Sequence, residues 1–101
     1  SITAEALKRS LSPERYYTKA LKGTFGKPTG QGWHMWEGLC PFHADTRPGS
    51  FVVNKATGAF KCFSCGEQGG DIITFHMKAN HVAFLGALKE LNGVLDAPGQ
   101  A

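Results

Sequence analysis

Two short pairs of metal-ligand residues constrain the fold of this chain more than any other feature of its sequence. Cys40 and His43 form the first pair, Cys62 and Cys65 form the second, and two residues lie between the members of each pair. Eighteen residues separate the two pairs. This spacing is typical of structural zinc sites, in which two turns each aim two side chains at one tetrahedral metal. The sequence therefore predicts one structural Zn²⁺ bound by Cys40, His43, Cys62 and Cys65.

A redox pair of the thioredoxin type is the alternative interpretation of Cys62 and Cys65. Such a pair follows a strand and directly precedes a helix in a βαβ unit. Here hairpin residues precede the pair, and glycines separate it from the next predicted helix, so the pattern favours metal. Four ligands leave no position for a catalytic water, and folding is expected to depend on the metal. Strong chelation should then unfold residues 33–70 while the terminal helices keep some helicity.

Length and composition indicate one small α+β domain. The 101 residues suit a single domain, and a hydrophobic content of 42% excludes disorder by composition. We expect residues 1–101 to form a single zinc-binding domain. Its expected parts are N-terminal helices (1–23), a zinc ribbon (33–70), C-terminal helices (71–92) and a frayed tail (93–101). The first residue is not methionine, which is compatible with a piece of a longer protein.

The sequence gives no indication of a membrane or secreted protein. It has neither an apolar run of membrane-spanning length nor a signal peptide. Cysteines that must stay reduced to bind metal indicate a cytoplasmic location.

Capping residues and apolar spacing predict two helices on each side of the ribbon. Thr3 is expected to cap the first helix, with Ile2 in a hydrophobic staple, and Ser12 is expected to cap the second. After the ligand pairs, Asp71 is expected to cap the third helix and Asn80 the fourth. The expected helices cover about residues 4–10, 13–22, 72–80 and 81–92, and the buried stripe expected on the last is Phe84, Leu85, Leu88 and Leu91.

Three short runs between the helices predict a small antiparallel β-sheet. Residues 33–39, 50–54 and 59–63 are rich in β-formers and are separated by turn residues. Alternation in the first run places Trp33 and Met35 on one face and Trp36 on the other. Residues 24–32 consist largely of turn-forming types and predict a loop, and the glycines after Cys65 predict the end of the sheet.

The positive charge is concentrated in the first part of the chain. Residues 1–61 carry nine Lys and Arg against four Asp and Glu, a net charge of +5, whereas residues 62–101 carry two against four, a net charge of −2. A basic part with interleaved aromatic residues is compatible with a nucleic-acid partner.

Many positions besides the ligands match one known family in order. The matching runs are Leu39-Cys40-Pro41-Phe42-His43, Pro48-x-Ser50-Phe51-x-Val53, Phe60-x-Cys62-Phe63-x-Cys65-Gly66 and Gly69-Gly70-Asp71-Ile72-x-x-Phe75. Over about residues 33–92 the sequence resembles the N-terminal zinc-binding domain of bacterial-type DNA primases, a domain that plasmid, phage and integrative-element primases share. It departs from the usual pattern at Gly49, an extra residue between Pro48 and Ser50, and at Trp33 and Trp36, where smaller residues or tyrosine are usual.

The resemblance implies a fold and a role. The implied fold is a zinc ribbon, a small antiparallel β-sheet flanked by N-terminal and C-terminal helices. The implied role is to contact single-stranded DNA template and help select start sites for RNA primer synthesis. The implied partners are a downstream primase polymerase domain and helicase or other replication proteins. The catalytic carboxylates of such primases belong to a separate TOPRIM domain that is not recognisable in this chain, so we expect the non-catalytic part of a primase.

Single strands are bound by aromatic stacking and by cations along the backbone. The predicted nucleic-acid contacts are Arg47, Lys55, Lys61, Trp36 and Lys27, and Lys22 could extend this track. Phe51, Phe60 and Phe63 are further aromatic candidates, although a small sheet must bury one face and most of these rings are expected in the core. His76 is expected to be a packed core histidine.

A protein-interaction module is the alternative function. In that case the ribbon would dock to a replication partner or to another domain through the C-terminal helix pair. Substitutions on the helix face, rather than at Arg47 or Lys61, would then abolish activity. An independent enzyme is poorly supported because the sequence offers no clustered pair of carboxylates and no open metal position.

Overall fold

The structure is a computed structural model that describes residues 3–44 and 46–96. The predicted staple residue Ile2 and residues 97–101 of the predicted frayed tail lie outside the described residues. The elements in chain order are α1 (Ala4–Ser10), α2 (Pro13–Ala20), β1 (Thr24–Gly30), β2 (Trp33–Glu37), β3 (Phe51–Asn54), β4 (Phe60–Cys62), β5 (Gln68–Gly69), α3 (Ile72–Asn80) and α4 (Phe84–Asp96). The α+β zinc-ribbon class predicted from the sequence is confirmed.

The sheet is a simple antiparallel meander. Its five strands are hydrogen-bonded in chain order, from β1 at one edge to β5 at the other. Each strand follows its neighbour through a short connection, except for the longer loop between β2 and β3, which carries the first ligand pair. This topology places the end of β4 and the loop after β2 close together.

Three of the helix starts predicted from capping residues are confirmed. The side chains of Thr3, Ser12 and Asp71 each accept a hydrogen bond from the backbone N–H three residues later. These bonds satisfy donors that a helix start otherwise leaves unpaired. Pro13 is the first residue of α2, where its missing N–H costs nothing.

The predicted loop over residues 24–32 is wrong for most of its length. Residues 24–30 form edge strand β1, because the pairing of Phe25 with Trp36 lets two large rings pack with centroids 5.1 Å apart. Pro28 is tolerated because an edge strand leaves one row of N–H groups without a ladder partner. The register is irregular on both sides of Pro28. Packing between strands therefore overrides the turn preference of the individual residues.

The sheet does not end at the glycines after Cys65, as the sequence had suggested. Gln68 and Gly69 form β5 and pair with Lys61 and Phe60. A Cβ atom on Gly69 would lie 2.5 Å from the Phe60 ring. This glycine therefore permits close packing rather than ending the sheet.

The last helix begins later than predicted. His81, with φ of 55°, is the left-handed cap of α3, and Asn80 lies inside α3 rather than capping α4. The predicted stripe is half correct: Leu88 and Leu91 are buried, but Phe84 and Leu85 are 45% and 71% exposed. The two exposed residues are the first two of α4, whereas the buried ones lie further along the helix.

The core lies between the helices and one face of the sheet. Its centre is an aromatic cluster of Tyr16, Tyr17, Phe42, Phe51, Phe60 and Phe75, with ring centroids between 5.1 and 6.4 Å apart. Leucines of α1 and α4 extend the same core on the helix side. Burial of this many large rings is the main stabilisation available to a domain of this size.

Candidate metal centre and nucleic-acid interface

The four predicted ligand residues lie together at one end of the sheet. Cys40 and His43 follow β2, Cys62 is the last residue of β4, and Cys65 lies in the turn to β5. Their ligand atoms all lie within 4.8 Å of one another. Cys40 and Cys62 are buried, whereas Cys65 is exposed. One side of the cluster therefore adjoins the core and the other adjoins solvent.

The distances in the cluster fit a tetrahedral zinc ion. The sulfurs of Cys40 and Cys65 are 3.8 Å apart, and the Cys62 sulfur lies 4.0 Å from Nδ1 of His43. Zinc–sulfur bonds of about 2.3 Å in a tetrahedron hold two sulfurs roughly 3.8 Å apart. Three thiols and one imidazole at this separation match the donor set that zinc prefers.

Backbone donors already point at two of the sulfurs. The N–H of Phe42 donates to the Cys40 sulfur, and the N–H of Cys65 donates to the Cys62 sulfur, both at 3.4 Å. Burial raises the pKa of Cys40 to about 12. Burial acts in the same direction on Cys62, but N–H groups of Cys65 and Ser64 outweigh it and lower the pKa of Cys62 to about 7. Zinc must therefore displace a proton from Cys40, and its binding weakens as the pH falls.

Phe42, one of the two residues between Cys40 and His43, ties the metal centre to the core. The Phe42 ring stacks on Phe60, with centroids 5.6 Å apart and an interplanar angle of 24°. It also meets Phe75 of α3 edge-to-face at 5.3 Å. The loop that presents Cys40 and His43 is thus held by aromatic contacts to both the sheet and a helix. Metal binding and core packing should stabilise one another.

The sheet face away from the helices forms a second site, which we call the outer face. It consists of Trp33, Met35, Val52, Lys61 and Phe63. With Thr29 of β1, these residues line an apolar groove of about 400 Å³. Val52 is not part of the helix-side core cluster. It is nevertheless only 6% exposed, because the side chains around it on the outer face cover it. Phe63 is 67% exposed, and the Lys61 ammonium lies 5.2 Å from its ring centroid.

The five residues predicted to contact nucleic acid fall into two groups in the structure, three exposed cations and two residues placed elsewhere. Lys61 is exposed and lines the outer face. Lys27 is exposed on edge strand β1, two residues before Thr29, and Arg47 is exposed in the loop between β2 and β3. These three cations are accessible to a ligand.

Trp36 and Lys55 are placed differently from the prediction. Trp36 is 1% exposed, and its Nε1 donates to the backbone oxygen of Lys22, so its ring offers no face to a nucleic-acid base. Lys55 lies on the helix side, with its ammonium 3.6 Å from a carboxylate oxygen of Glu14 in α2 and 5.3 Å from the Phe25 ring centroid. Side-chain alternation explains the placement of Trp36, because residue 36 falls on the strand face opposite to Trp33. Lys55 lies in the turn directly after β3.

Sequence reasoning missed Trp33, Met35 and Val52 as members of a surface site. The predicted alternation had placed Trp33 and Met35 on one face and Trp36 on the other, and the structure confirms this. The sequence had named Trp36 as a nucleic-acid contact, but the pairing of β2 with β1 buries Trp36 and leaves Trp33 on the open face. Of the aromatic candidates, Phe51 and Phe60 are core residues and Phe63 is exposed.

The remaining histidines do not gather around a metal. His76 is partly buried between Tyr16, whose hydroxyl lies 2.8 Å from Nδ1, and Glu90, whose carboxylate lies 2.7 Å from Nε2. His76 is therefore packed against Tyr16 but lies outside the buried core cluster, and the prediction of a packed core histidine is confirmed only in part. Among the His, Cys, Asp and Glu side chains of residues 3–44 and 46–96, those close enough together to share a metal ion are the four of the metal centre.

A small antiparallel ribbon with a Cys-His-Cys-Cys cluster at one end defines a zinc-ribbon protein. The sequence model of the CHC2 zinc finger family matches residues 28–98. The chain belongs to the CHC2 zinc finger family, and both this membership and the geometry of the cluster support zinc binding.

Curated relatives are DNA primases. The chain is 49% identical over 57 residues to the DNA primase of Streptomyces coelicolor, covering 56% of the chain and 9% of that protein. It is 45% identical over 65 residues to the DNA primase of Clostridium acetobutylicum, covering 64% of the chain and 10% of that protein. It is 50% identical over 54 residues to the DNA primase of Lactococcus lactis, covering 54% of the chain and 8% of that protein. The chain thus spans about a tenth of the length of these primases, and the matches place it with their zinc-finger domains.

The helices in the described part of the chain are too short or too polar to cross a membrane.

Proposed function

We propose that this chain is a zinc-dependent domain that binds the single-stranded DNA template of a DNA primase and helps select start sites for RNA primer synthesis. The observation that carries the proposal is the outer face, where two aromatic side chains, an apolar floor and a cation share one open surface. The activity itself would come from a downstream polymerase domain, and helicase or other replication proteins in the cytoplasm would be further partners.

We further propose that one Zn²⁺, held by Cys40, His43, Cys62 and Cys65, has a structural role. Four protein ligands would complete a tetrahedron and leave no position for a water to be activated. The metal would instead fix the loop after β2 and the end of β4, and so the shape of the sheet. Native mass spectrometry should give one zinc per chain, and a serine at any of the three cysteine positions should lower that occupancy.

The outer face has the two components that single strands require. Trp33 and Phe63 flank the groove and can stack on bases, while Met35 and Val52 give it an apolar floor. Base stacking on an aromatic side chain is worth about 1–3 kcal/mol per base. Lys61 lines the same groove and can pair with a phosphate, and its contact with the Phe63 ring restricts where its charge lies.

Two further cations extend the surface. Lys27 and Arg47 are exposed and can contact phosphates of a strand that extends beyond the groove. Lys55 is left out because Glu14 offsets its charge on the other side of the sheet. Trp36 is left out because it is buried.

The test is a salt titration of single-stranded DNA affinity by fluorescence anisotropy, using zinc-loaded protein. For single strands, each phosphate contact contributes about 0.7 to the negative slope of log K against log salt concentration. Lys61→Ala should therefore weaken binding and reduce the slope by about 0.7. Trp33→Ala and Phe63→Ala should weaken binding with little change of slope, since they remove stacking rather than charge.

Lys89→Ala is the matched control. This lysine is exposed on α4, on the helix side of the sheet, and its substitution removes the same charge from the chain. It should change neither affinity nor slope by a comparable amount. Equal effects of Lys61→Ala and Lys89→Ala would reject the outer face as the binding surface, and a wild-type domain that binds no single strand at low salt would reject the function.

Docking to a replication partner is a second candidate function, favoured by one observation. Phe84 and Leu85 at the start of α4 are 45% and 71% exposed, which is unusual for two adjacent large apolar side chains. The double substitution of both residues by serine should weaken binding of a replication partner, such as the primase polymerase domain or the helicase, and leave DNA affinity unchanged. If that substitution abolishes primer synthesis while Lys61→Ala has no effect, docking is the main function.

A further inference from the structure

Four outward-facing residues form a row across the sheet. Met35 pairs with Val52, Val52 pairs with Lys61, and Lys61 pairs with Gln68 in the register of four consecutive strands. Directly paired residues of antiparallel strands project from the same face, and neighbouring strands lie about 4.8 Å apart. The row therefore spans roughly 14 Å, three strand spacings, and changes in order from apolar side chains to a cation and then to an amide.

Gln68 borders a second hollow, next to the apolar groove, which is the first hollow. Trp33 and Lys61 line both hollows and separate them. The second hollow, of about 490 Å³, is also lined by Gln68 and Gly69.

The Gln68 side chain is exposed, and no described residue forms a hydrogen bond with its amide. Its neighbour Glu67 differs, because the Glu67 carboxylate accepts from the Lys78 ammonium at 3.1 Å. β5 is the edge strand of the sheet, so in the described chain no further strand covers this side. The amide is therefore available to a ligand that lies across the outer face.

We propose that Gln68 is a specificity-determining residue that reads an adenine of the template strand. This inference rests on the proposed function. A strand whose phosphate pairs with Lys61 and whose preceding base stacks on Trp33 or Phe63 would place its next base over the second hollow. A glutamine amide donates one hydrogen bond and accepts another, and this pair of bonds matches the amino group and adjacent ring nitrogen of adenine.

Phosphate and stacking contacts hold the strand without reading its sequence, so discrimination needs a polar group that faces a base edge. Of the residues that line the two hollows, Thr29, Trp33 and Gln68 carry uncharged polar groups, and the Trp33 indole N–H can only donate. Only Gln68 carries the planar donor–acceptor pair that adenine requires.

The test compares zinc-loaded wild type with Gln68→Leu and Gln68→Glu. The probes are an all-thymine oligonucleotide and three versions in which one central thymine is replaced by adenine, cytosine or guanine, and the readout is the ratio of affinities. Wild type should bind the adenine probe about 5- to 10-fold more tightly than the all-thymine probe. Gln68→Leu should remove that preference, and Gln68→Glu should shift it towards cytosine, because a carboxylate accepts from the cytosine amino group.

Lys89→Ala should keep the wild-type ratio, and zinc content and far-UV circular dichroism establish that each variant is folded. The inference is overturned if Gln68→Leu keeps the adenine preference, if wild type has no preference, or if it prefers another base. Failure of wild type to bind any probe would instead reject the proposed function.

Discussion

Truncation of Phe75 tests whether the aromatic cluster holds the domain together. Phe75 is 2% exposed and lies between the sheet and α2. Its ring centroid is 5.1 Å from that of Tyr17, 5.2 Å from that of Phe60 and 5.3 Å from that of Phe42. All three contacts are edge-to-face, with interplanar angles of 83°, 89° and 68°.

The expected cost of Phe75→Ala follows from these contacts. Loss of a buried phenylalanine costs about 3–5 kcal/mol, and the packed surroundings here can collapse little into the space. Each edge-to-face pair adds about 0.5–1.5 kcal/mol beyond the buried area, so we expect a value in the upper half of that range. A domain has about 5–15 kcal/mol of stability in total, so about a quarter of it to nearly all of it would be lost.

The assay is urea unfolding of zinc-loaded protein, followed by the combined fluorescence of Trp33 and the buried Trp36. Phe63→Ala is the matched control, because the same atoms are removed from a side chain that is 67% exposed. It should change the free energy of unfolding by about 0.5 kcal/mol or less. A cost below about 1 kcal/mol for Phe75→Ala, or equal costs for the two variants, would refute the assignment of core and outer faces.

Three further predictions concern stability. Hydrogen bonds from Thr74 and Lys8 outweigh the opposing effect of burial and lower the pKa of Asp71. Ionised Asp71 therefore stabilises the fold above the ordinary aspartate pKa of about 3.9. This stabilisation is lost only as the pH falls through the lower pKa that Asp71 has in the folded protein. Asp71→Asn, which keeps an N-cap, should cost about 0.3–1 kcal/mol, equally at pH 6 and pH 8 in chemical unfolding; a cost that differs between the two pH values would contradict this. Tyr17→Phe removes a 2.6 Å hydrogen bond to the buried backbone oxygen of Gly58 and should cost about 1–3 kcal/mol, whereas an unchanged unfolding midpoint would contradict that bond. Strong chelation should abolish the near-UV circular dichroism of the ribbon and retain part of the helical far-UV signal; an unchanged near-UV spectrum would contradict dependence on the metal.

The elements with local chemical signatures were predictable from the sequence. The ligand spacing gave the metal cluster because two turns, each within four residues, determine its geometry. Thr3, Ser12 and Asp71 gave the helix starts because a cap is a contact between residues three positions apart. These features depend little on the rest of the fold.

The errors concern features that only long-range packing decides. β1 consists of turn-forming residues, and it is a strand because Phe25 packs on Trp36. That pairing also buries Trp36 and leaves Trp33 on the open face, which alternation alone cannot decide. β5 likewise depends on the close approach of Gly69 to Phe60. The metal centre was therefore predictable, whereas the surface that it supports became visible only with the complete sheet.

The two tryptophans allow the most direct test of the central claim, that the outer face binds single-stranded DNA. They are three residues apart on opposite faces, and each indole N–H gives a separate signal in a ¹⁵N-correlation spectrum. Titration of zinc-loaded protein with single-stranded DNA should shift the Trp33 indole signal together with the backbone signals of Lys61, Phe63 and Gln68. The Trp36 indole belongs to a buried ring and donates to the backbone oxygen of Lys22, so its signal should not move. Shifts confined to α4, or a Trp36 signal that moves while Trp33 does not, would contradict the claim.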